Sequence, residues 1–170
     1  MFTGIIRELG LVEKIEEREK HVVLSITHPD FFTEASLGDS IAIDGVCLTI
    51  KEKKNDQTAL FDVVKETLSK TALQTYHVGR RVNMEKPLRF NDRIDGHFVQ
   101  GHVDGIGKVL KITPQAEQVL MEISIPEACH DYIAMKGSVA IDGISLTVCE
   151  VFEESFCVAL IPYTMKNTTL

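Results

Sequence analysis

From His21 to Val64 the chain reads as short apolar, β-branched runs separated by polar or glycine-bearing breaks. HVVLSIT (21–27), SIAID (40–44), VCLTIKE (46–52) and ALFDVV (59–64) each have the length and composition of a strand. Asp44-Gly45 stands between two of them, and an Asp-Gly step between apolar runs predicts a tight hairpin turn. A further strand is expected at Arg81 to Glu85, after a turn. Short helical pieces are expected at Pro29 to Ser36, Lys65 to Thr71 and Pro126 to Ala134. Short, evenly spaced strands with glycine-rich turns predict a sandwich or a barrel.

The pattern occurs twice. SIAIDGVCLTI (40–50) and SVAIDGISLTV (138–148) agree at seven of eleven positions, and the other four differ conservatively. The match extends both ways at a spacing of 97 residues. Gly4 falls on Gly101, Gly10 on Gly107, Val12 on Val109 and Ile15 on Ile112. Downstream, KETLSKTAL (65–73) falls on PYTMKNTTL (162–170). The expected architecture is all-β: two tandem six-stranded Greek-key barrels with short helices, related by an internal repeat. The first spans 1–87, a polar, proline-bearing linker spans 88–96, and the second spans 97–170. The first copy continues past Leu73 into the strand at Arg81 to Glu85, and the second ends at Leu170. The second barrel is therefore expected to lack its last strand and to read as C-terminally shortened.

Composition narrows the function. With 18 Lys+Arg against 25 Asp+Glu the formal charge is −7. A polyanion binder needs a basic face, and an aromatic stacking platform needs more than three Tyr and no Trp, so nucleic acid is not the expected partner. Hydrophobic residues make up 44%, enough for a core, which excludes disorder. The longest apolar runs, such as Phe156 to Pro162, are far shorter than the ~18–20 residues of a membrane helix. Cys47, Cys129, Cys149 and Cys157 show neither CxxC nor zinc spacing. Free thiols, and no charged segment ahead of an apolar stretch at Met1 to Ile6, point to a cytoplasmic protein.

The opening MFTGII, the pair AIDGVCLT and AIDGISLT, the KET after FDVV, and GHFVQGHVDG at the start of the second copy together resemble the riboflavin synthases of the alpha-subunit type. The resemblance runs from Met1 to Leu170. It implies the lumazine-binding tandem-barrel fold and conversion of two 6,7-dimethyl-8-ribityllumazine molecules into riboflavin and a 5-amino-6-ribitylaminopyrimidinedione by four-carbon transfer. It implies no metal and no organic cofactor. It also implies a homotrimer, with each active site between the N-terminal barrel of one subunit and the C-terminal barrel of its neighbour, and a complex with lumazine synthase. Two like modules for two like ligands fit this independently, since facing them turns a bimolecular step into an effectively unimolecular one.

By resemblance, Gly4, Ile5, Ile6, Cys47, Leu48, Thr49 and Asp62, Val63, Val64, Lys65, Glu66, Thr67 line the ligand in the first half. Gly101, His102, Val103, Ser145, Leu146, Thr147 and Ala159, Leu160, Ile161, Pro162, Tyr163, Thr164 line it in the second. The plain alternative is that these are barrel strands. Cys47 and Ser145 hold equivalent positions with different chemistry, which suits two ligands with unequal roles; Cys47 is expected to act by contact or a weak hydrogen bond. Loss of a proton from a lumazine 7-methyl group needs a base near neutrality, and His102, then His97, are the candidates. Phe2 is expected to pack on the ring system. Ser40 and Thr147 are expected to donate hydrogen bonds or position a water. Lys136 has only Gly38 opposite it in the repeat, and Asp142 repeats Asp44, so each Asp either approaches the site or shapes its turn. Thr67 and Thr164 either hold ribityl hydroxyls or cap short helices. The competing readings are a non-catalytic lumazine or flavin carrier on the same fold, and a flavin barrel of an oxidoreductase, which needs a nucleotide-binding domain this sequence has no room for.

Overall fold

The computed structural model describes residues 1–170. Its first half holds β1 (Glu8–Glu17), β2 (His21–Thr27), β3 (Ser40–Ile43), β4 (Val46–Lys53), β5 (Thr58–Val64), α1 (Lys65–Lys70) and β6 (Arg81–Glu85). A 3₁₀ turn, Ala72–Thr75, links α1 to β6. The second half holds β7 (Val109–Pro114), β8 (Val119–Ser124), β9 (Ser138–Ile141), β10 (Ile144–Val151), β11 (Ser155–Leu160) and α2 (Pro162–Asn167), with a 3₁₀ turn at Glu127–Tyr132. No helix is long and apolar enough to cross a membrane.

The first six strands close into a barrel of order β1-β2-β5-β4-β3-β6, antiparallel throughout. This is a Greek key: β3, β4 and β5 are consecutive, and β2 returns to lie beside β5. The second half repeats the order as β7-β8-β11-β10-β9, a five-stranded sheet without the sixth strand. The difference shows in the cores. Val12 of β1 is 0% exposed, whereas its repeat counterpart Val109 of β7 is 52% exposed. In the first half β6 closes over that position by pairing with both β1 and β3.

Both Asp-Gly steps form the expected turns. Asp44 and Gly45 have φ of 43° and 78°, and Asp142 and Gly143 have 45° and 79°, the pattern of a type I′ hairpin. The two turns abut. A Cβ on Gly45 would lie 2.6 Å from the Gly143 nitrogen, and one on Gly143 would lie 2.7 Å from the Gly45 nitrogen.

One expected helix is absent. Residues 29–36 form a chain of turns instead. His28 Nδ1 accepts from the backbone N–H groups of Phe31 (3.0 Å) and Asp30 (3.2 Å), a local alternative to helical pairing. Phe31 and Phe32, adjacent in sequence, are both buried and pack edge to face at 5.2 Å. Over 126–134 the expected helix is only the 3₁₀ turn.

The halves are not merely side by side. Phe2 and Val99, equivalent in the repeat, exchange backbone hydrogen bonds of 2.8 and 3.0 Å. Ile6 packs into the core of the second half, with Met121, Ile123 and Phe156, while its counterpart Val103 packs against the core of the first. The segments that open each half are thus exchanged across an approximate two-fold axis.

Candidate functional site

The exchange builds two equivalent seats. The Cys47 N–H donates to the Gly101 carbonyl at 2.9 Å, and the Ser145 N–H donates to the Gly4 carbonyl at 2.7 Å. Each glycine has φ near the left-handed region, +80° for Gly101 and +75° for Gly4. Each is pressed onto the residue it serves. A Cβ on Gly101 would lie 2.5 Å from Cys47 Cβ, and one on Gly4 would lie 2.8 Å from Ser145 Cβ. Sequence position puts Gly4 with the first set of ligand-lining segments and Gly101 with the second; space puts each on the other half.

Strand alternation sorts the remaining residues. In β4, Cys47 and Thr49 face out while Leu48 enters the core; in β10, Ser145 and Thr147 face out while Leu146 enters the core. Ser40 pairs with Thr49 in register and stands at the edge of the same face. In β5, Val63 is core, and Asp62 and Val64 point outward. Asp62 is held by Lys51 (2.9 Å) and His21 (3.3 Å). In β11, Leu160 is core and Ala159 half-buried, and the chain then emerges at Ile161. Pro162 and Tyr163 are exposed at the start of α2, as are Lys65 and Glu66 at the start of α1. Glu66 pairs with Lys70 at 2.8 Å. Ile5 is half-buried between the buried Gly4 and Ile6.

Several sequence expectations are refined. Leu48, Val63, Leu146, Leu160 and Ile6 bury their side chains in the cores, and Val103 packs half-buried against the core of the first half. Phe2 is 0% exposed and sits beneath Cys47 with Ala42 and Val99; it props the seat from below instead of stacking in the open. Thr67 and Thr164 are not helix caps. The N-caps of α1 and α2 are Val64 and Ile161, neither with a side-chain cap bond. Each Thr carbonyl instead accepts at 2.7 Å from the hydroxyl four residues on, Thr71 or Thr168.

The two histidines separate clearly. His102 is exposed. His97 is half-buried, and its Nδ1 lies 2.7 Å from Ser145 Oγ. Its backbone N–H donates to the Thr3 carbonyl at 3.0 Å. Burial lowers the His97 pKa, which favours the neutral, basic imidazole at pH 7. Of the two seat residues, only Ser145 has a histidine ring at hydrogen-bond distance. The pseudo-symmetry is broken at this point.

Lys136 is exposed at φ 66°, where Gly38 in the first half has 88°. A β-carbon in the left-handed region costs about 1–2 kcal/mol. Lys136→Gly is expected to raise stability by about 1 kcal/mol in denaturant unfolding.

Asp44 and Asp142 meet at the junction of the turns. Asp44 accepts from the Tyr76 hydroxyl and from the Asn83 N–H (2.6 Å), and Arg80 stands 3.9 Å away. Asn83 Nδ2 donates to the Asp142 carbonyl at 2.9 Å. Sequence reasoning missed Tyr76, Arg80 and Asn83, because nothing local marks them as partners of a turn some forty residues away. Burial pushes the Asp44 carboxyl up to about 6, and raises Asp142 as well. An acid raised in the folded state favours folding when protonated. Stability is therefore expected to fall as pH rises from about 4 through about 6, and to level off above. Thermal melts should show Asp44→Asn flattening that slope.

Two large depressions adjoin the seats. One is a charged cleft between Arg7, Glu34, Glu85 and Arg93; the other is lined by His97, Gly101, His102 and Asp142 and runs into the open side of the second sheet between Val103, Met121, Ile141 and Leu170. Neither is lined by Cys47, Thr49, Ser145 or Thr147. The seats lie on outward faces.

The chain matches the Lumazine binding domain family model twice, over residues 3–87 and 100–170. It is 41% identical over 170 residues to the riboflavin synthase of Actinobacillus pleuropneumoniae, covering all of this chain and 79% of that one. It is 40% identical over 173 residues to that of Mycobacterium tuberculosis (strain ATCC 25618 / H37Rv), covering all of this chain and 86% of the relative. With that of Bacillus subtilis (strain 168) it shares 35% over 168 residues, 99% of this chain and 78% of the other. Among solved structures, LumP complexed with riboflavin superposes with a TM-score of 0.91 at 23% identity, over all of this chain and 92% of that one. LumP complexed with 6,7-dimethyl-8-(1'-D-ribityl) lumazine gives 0.88 at 24%, with the same coverage. These two likenesses establish the fold.

Proposed function

We infer the function from one premise: the chain belongs to the lumazine-binding, riboflavin synthase family, whose riboflavin synthases are transferases. We propose that it converts two molecules of 6,7-dimethyl-8-ribityllumazine into riboflavin and 5-amino-6-ribitylaminopyrimidinedione by transfer of a four-carbon unit. The observation that carries this is the pair of exchanged, equivalent seats differing only in chemistry: Cys47 under Gly101, and Ser145 under Gly4 with His97 in contact. Two copies of one substrate have two matching places, and their unequal fates have unequal residues.

In this reading each pyrimidinedione edge is held by backbone N–H and carbonyl groups around Cys47 to Thr49 and Ser145 to Thr147. The ribityl chains reach toward Thr67 and Thr164. His97, held by Ser145, takes the proton from the 7-methyl group of the lumazine bound beside it. Ser40 and Thr147 orient the hydroxyl that adds to C7 of the partner molecule. Lys136 and His102 supply charge and hydrogen bonds at the rim. No metal or organic cofactor is needed. The seats are open faces, whereas ligand sites are concave. As the resemblance to riboflavin synthases implies, the N-terminal half of one subunit faces the C-terminal half of a neighbour in a homotrimer in this reading, so that the two rings stack and the transfer is effectively unimolecular. A cytoplasmic location suits the four free thiols.

The test is a fluorescence titration with 6,7-dimethyl-8-ribityllumazine, followed by chromatography of the products. Two equivalents bound per chain, followed by riboflavin, support the reading. Lumazine bound and left unconsumed would identify a binding protein on the same fold instead. Lys136→Gly, more stable than the parent, is expected to turn over at least about tenfold more slowly, which separates its role from folding.

A further inference from the structure

Glu85 ends β6 of the first half, away from Ser145 in sequence and outside both sets of ligand-lining segments. All three hydrogen bonds its carboxylate accepts come from one short stretch of chain. Oε1 accepts from the Thr3 backbone N–H and from Thr3 Oγ1, each at 2.7 Å. Oε2 accepts from the Gly4 N–H at 3.0 Å. These are charge-assisted bonds to a buried strap that bends at Gly4. The same strap carries the second seat. The Thr3 carbonyl holds the His97 N–H at 3.0 Å, and the Gly4 carbonyl holds the Ser145 N–H at 2.7 Å. Between those anchors, His97 Nδ1 meets Ser145 Oγ at 2.7 Å. Donors of the strap face Glu85, and its acceptors face His97 and Ser145.

We propose that Glu85 is a positioning residue for the His97–Ser145 pair, acting across the two halves through the Thr3-Gly4 backbone. The proposal rests on the reading that the Ser145 seat takes part in the reaction. Glu85 itself touches neither partner of the pair. It orients the two peptide units that do, and a small displacement there tilts the imidazole away from the hydroxyl. It also links completion of the first barrel to readiness of the second seat, because the strand that closes one clamps the strap of the other.

The test uses the full chain with labelled histidine, read by NMR, alongside lumazine turnover. Glu85→Gln keeps the length but presents an amide NH₂ to at least one of three donors. Its kcat is expected to fall tenfold to a hundredfold, with KM changed less than threefold. The His97 ring resonances are expected to shift, and the His97 titration midpoint to move toward that of a free imidazole. Thr3→Val, which removes only the hydroxyl donor, is expected to move both readouts less and in the same direction, and Thr3→Ser to restore them. Glu85→Gln that melts cooperatively near the parent temperature yet leaves the His97 resonances and midpoint unmoved overturns the proposal, whatever the turnover. If the parent chain forms no riboflavin, the reading of the function fails, and the His97 signal still decides the role of Glu85.

Discussion

His97→Gln is expected to slow riboflavin formation at least about a hundredfold while lumazine still binds, because a positioned general base contributes roughly 10²–10⁴ in rate. Glutamine keeps a polar group near Ser145 Oγ, 2.7 Å from the imidazole in the parent, but it cannot take up a proton. Ser145→Ala removes the other member of the pair. If the two act as a unit, the double variant is expected to be no slower than the worse single one. Cys47→Ser, which copies the second-half residue into the first seat, is expected to stay within about tenfold of the parent, since no imidazole stands behind it. Single-turnover kinetics with separate binding titrations check these outcomes. Equal losses for Cys47→Ser and His97→Gln would contradict the assigned asymmetry.

Gly101→Ala is expected to destabilise the chain by about 3 kcal/mol. The new Cβ sits in the left-handed region at φ +80° and 2.5 Å from Cys47 Cβ. The backbone cost is about 1–2 kcal/mol, and forcing an extra methyl into packed space typically adds about 1–3. Neither neighbour yields cheaply, since the Cys47 N–H is tied to the Gly101 carbonyl and buried Phe2 lies 3.1 Å from the new carbon. Gly79→Ala, at φ +88° but with nothing within 4 Å, isolates the backbone part of the effect. Urea midpoints of the two variants measure the difference. Gly101→Ala no worse than Gly79→Ala would mean that the Gly101 segment does not press on Cys47.

The one-dimensional pattern carried most of the first barrel. β2 to β5 lie where β-branched runs and Asp-Gly steps place them, and the repeat transfers that layout to β8 to β11. The turns at 29–36 were illegible because their outcome hangs on His28 accepting two backbone N–H groups and on burying Phe31 and Phe32 together. The seats were legible as residue types and not as an assembly. Cys47 and Ser145 align, and so do Gly4 and Gly101, but alignment is silent on which glycine covers which strand. The exchange that seats Gly101 on Cys47 and Gly4 on Ser145 exists only in space. The same holds for His97, whose spacing from Ser145 is 48 residues, and for Glu85, whose partners lie more than 80 residues away. Ile6 and Val103 are expected among the ligand-lining residues by resemblance, and nothing local shows that Ile6 enters the core of the second half while Val103 packs against that of the first.

The two seats are expected to hold two copies of one substrate and to pass a four-carbon unit between them. The direct measurement is the stoichiometry of an anaerobic incubation with 6,7-dimethyl-8-ribityllumazine, with no cofactor added. Riboflavin appearing at half the molar amount of lumazine consumed, with an equal amount of the pyrimidinedione, is the predicted result. Lumazine bound but not consumed, or riboflavin formed in any other ratio, would contradict it.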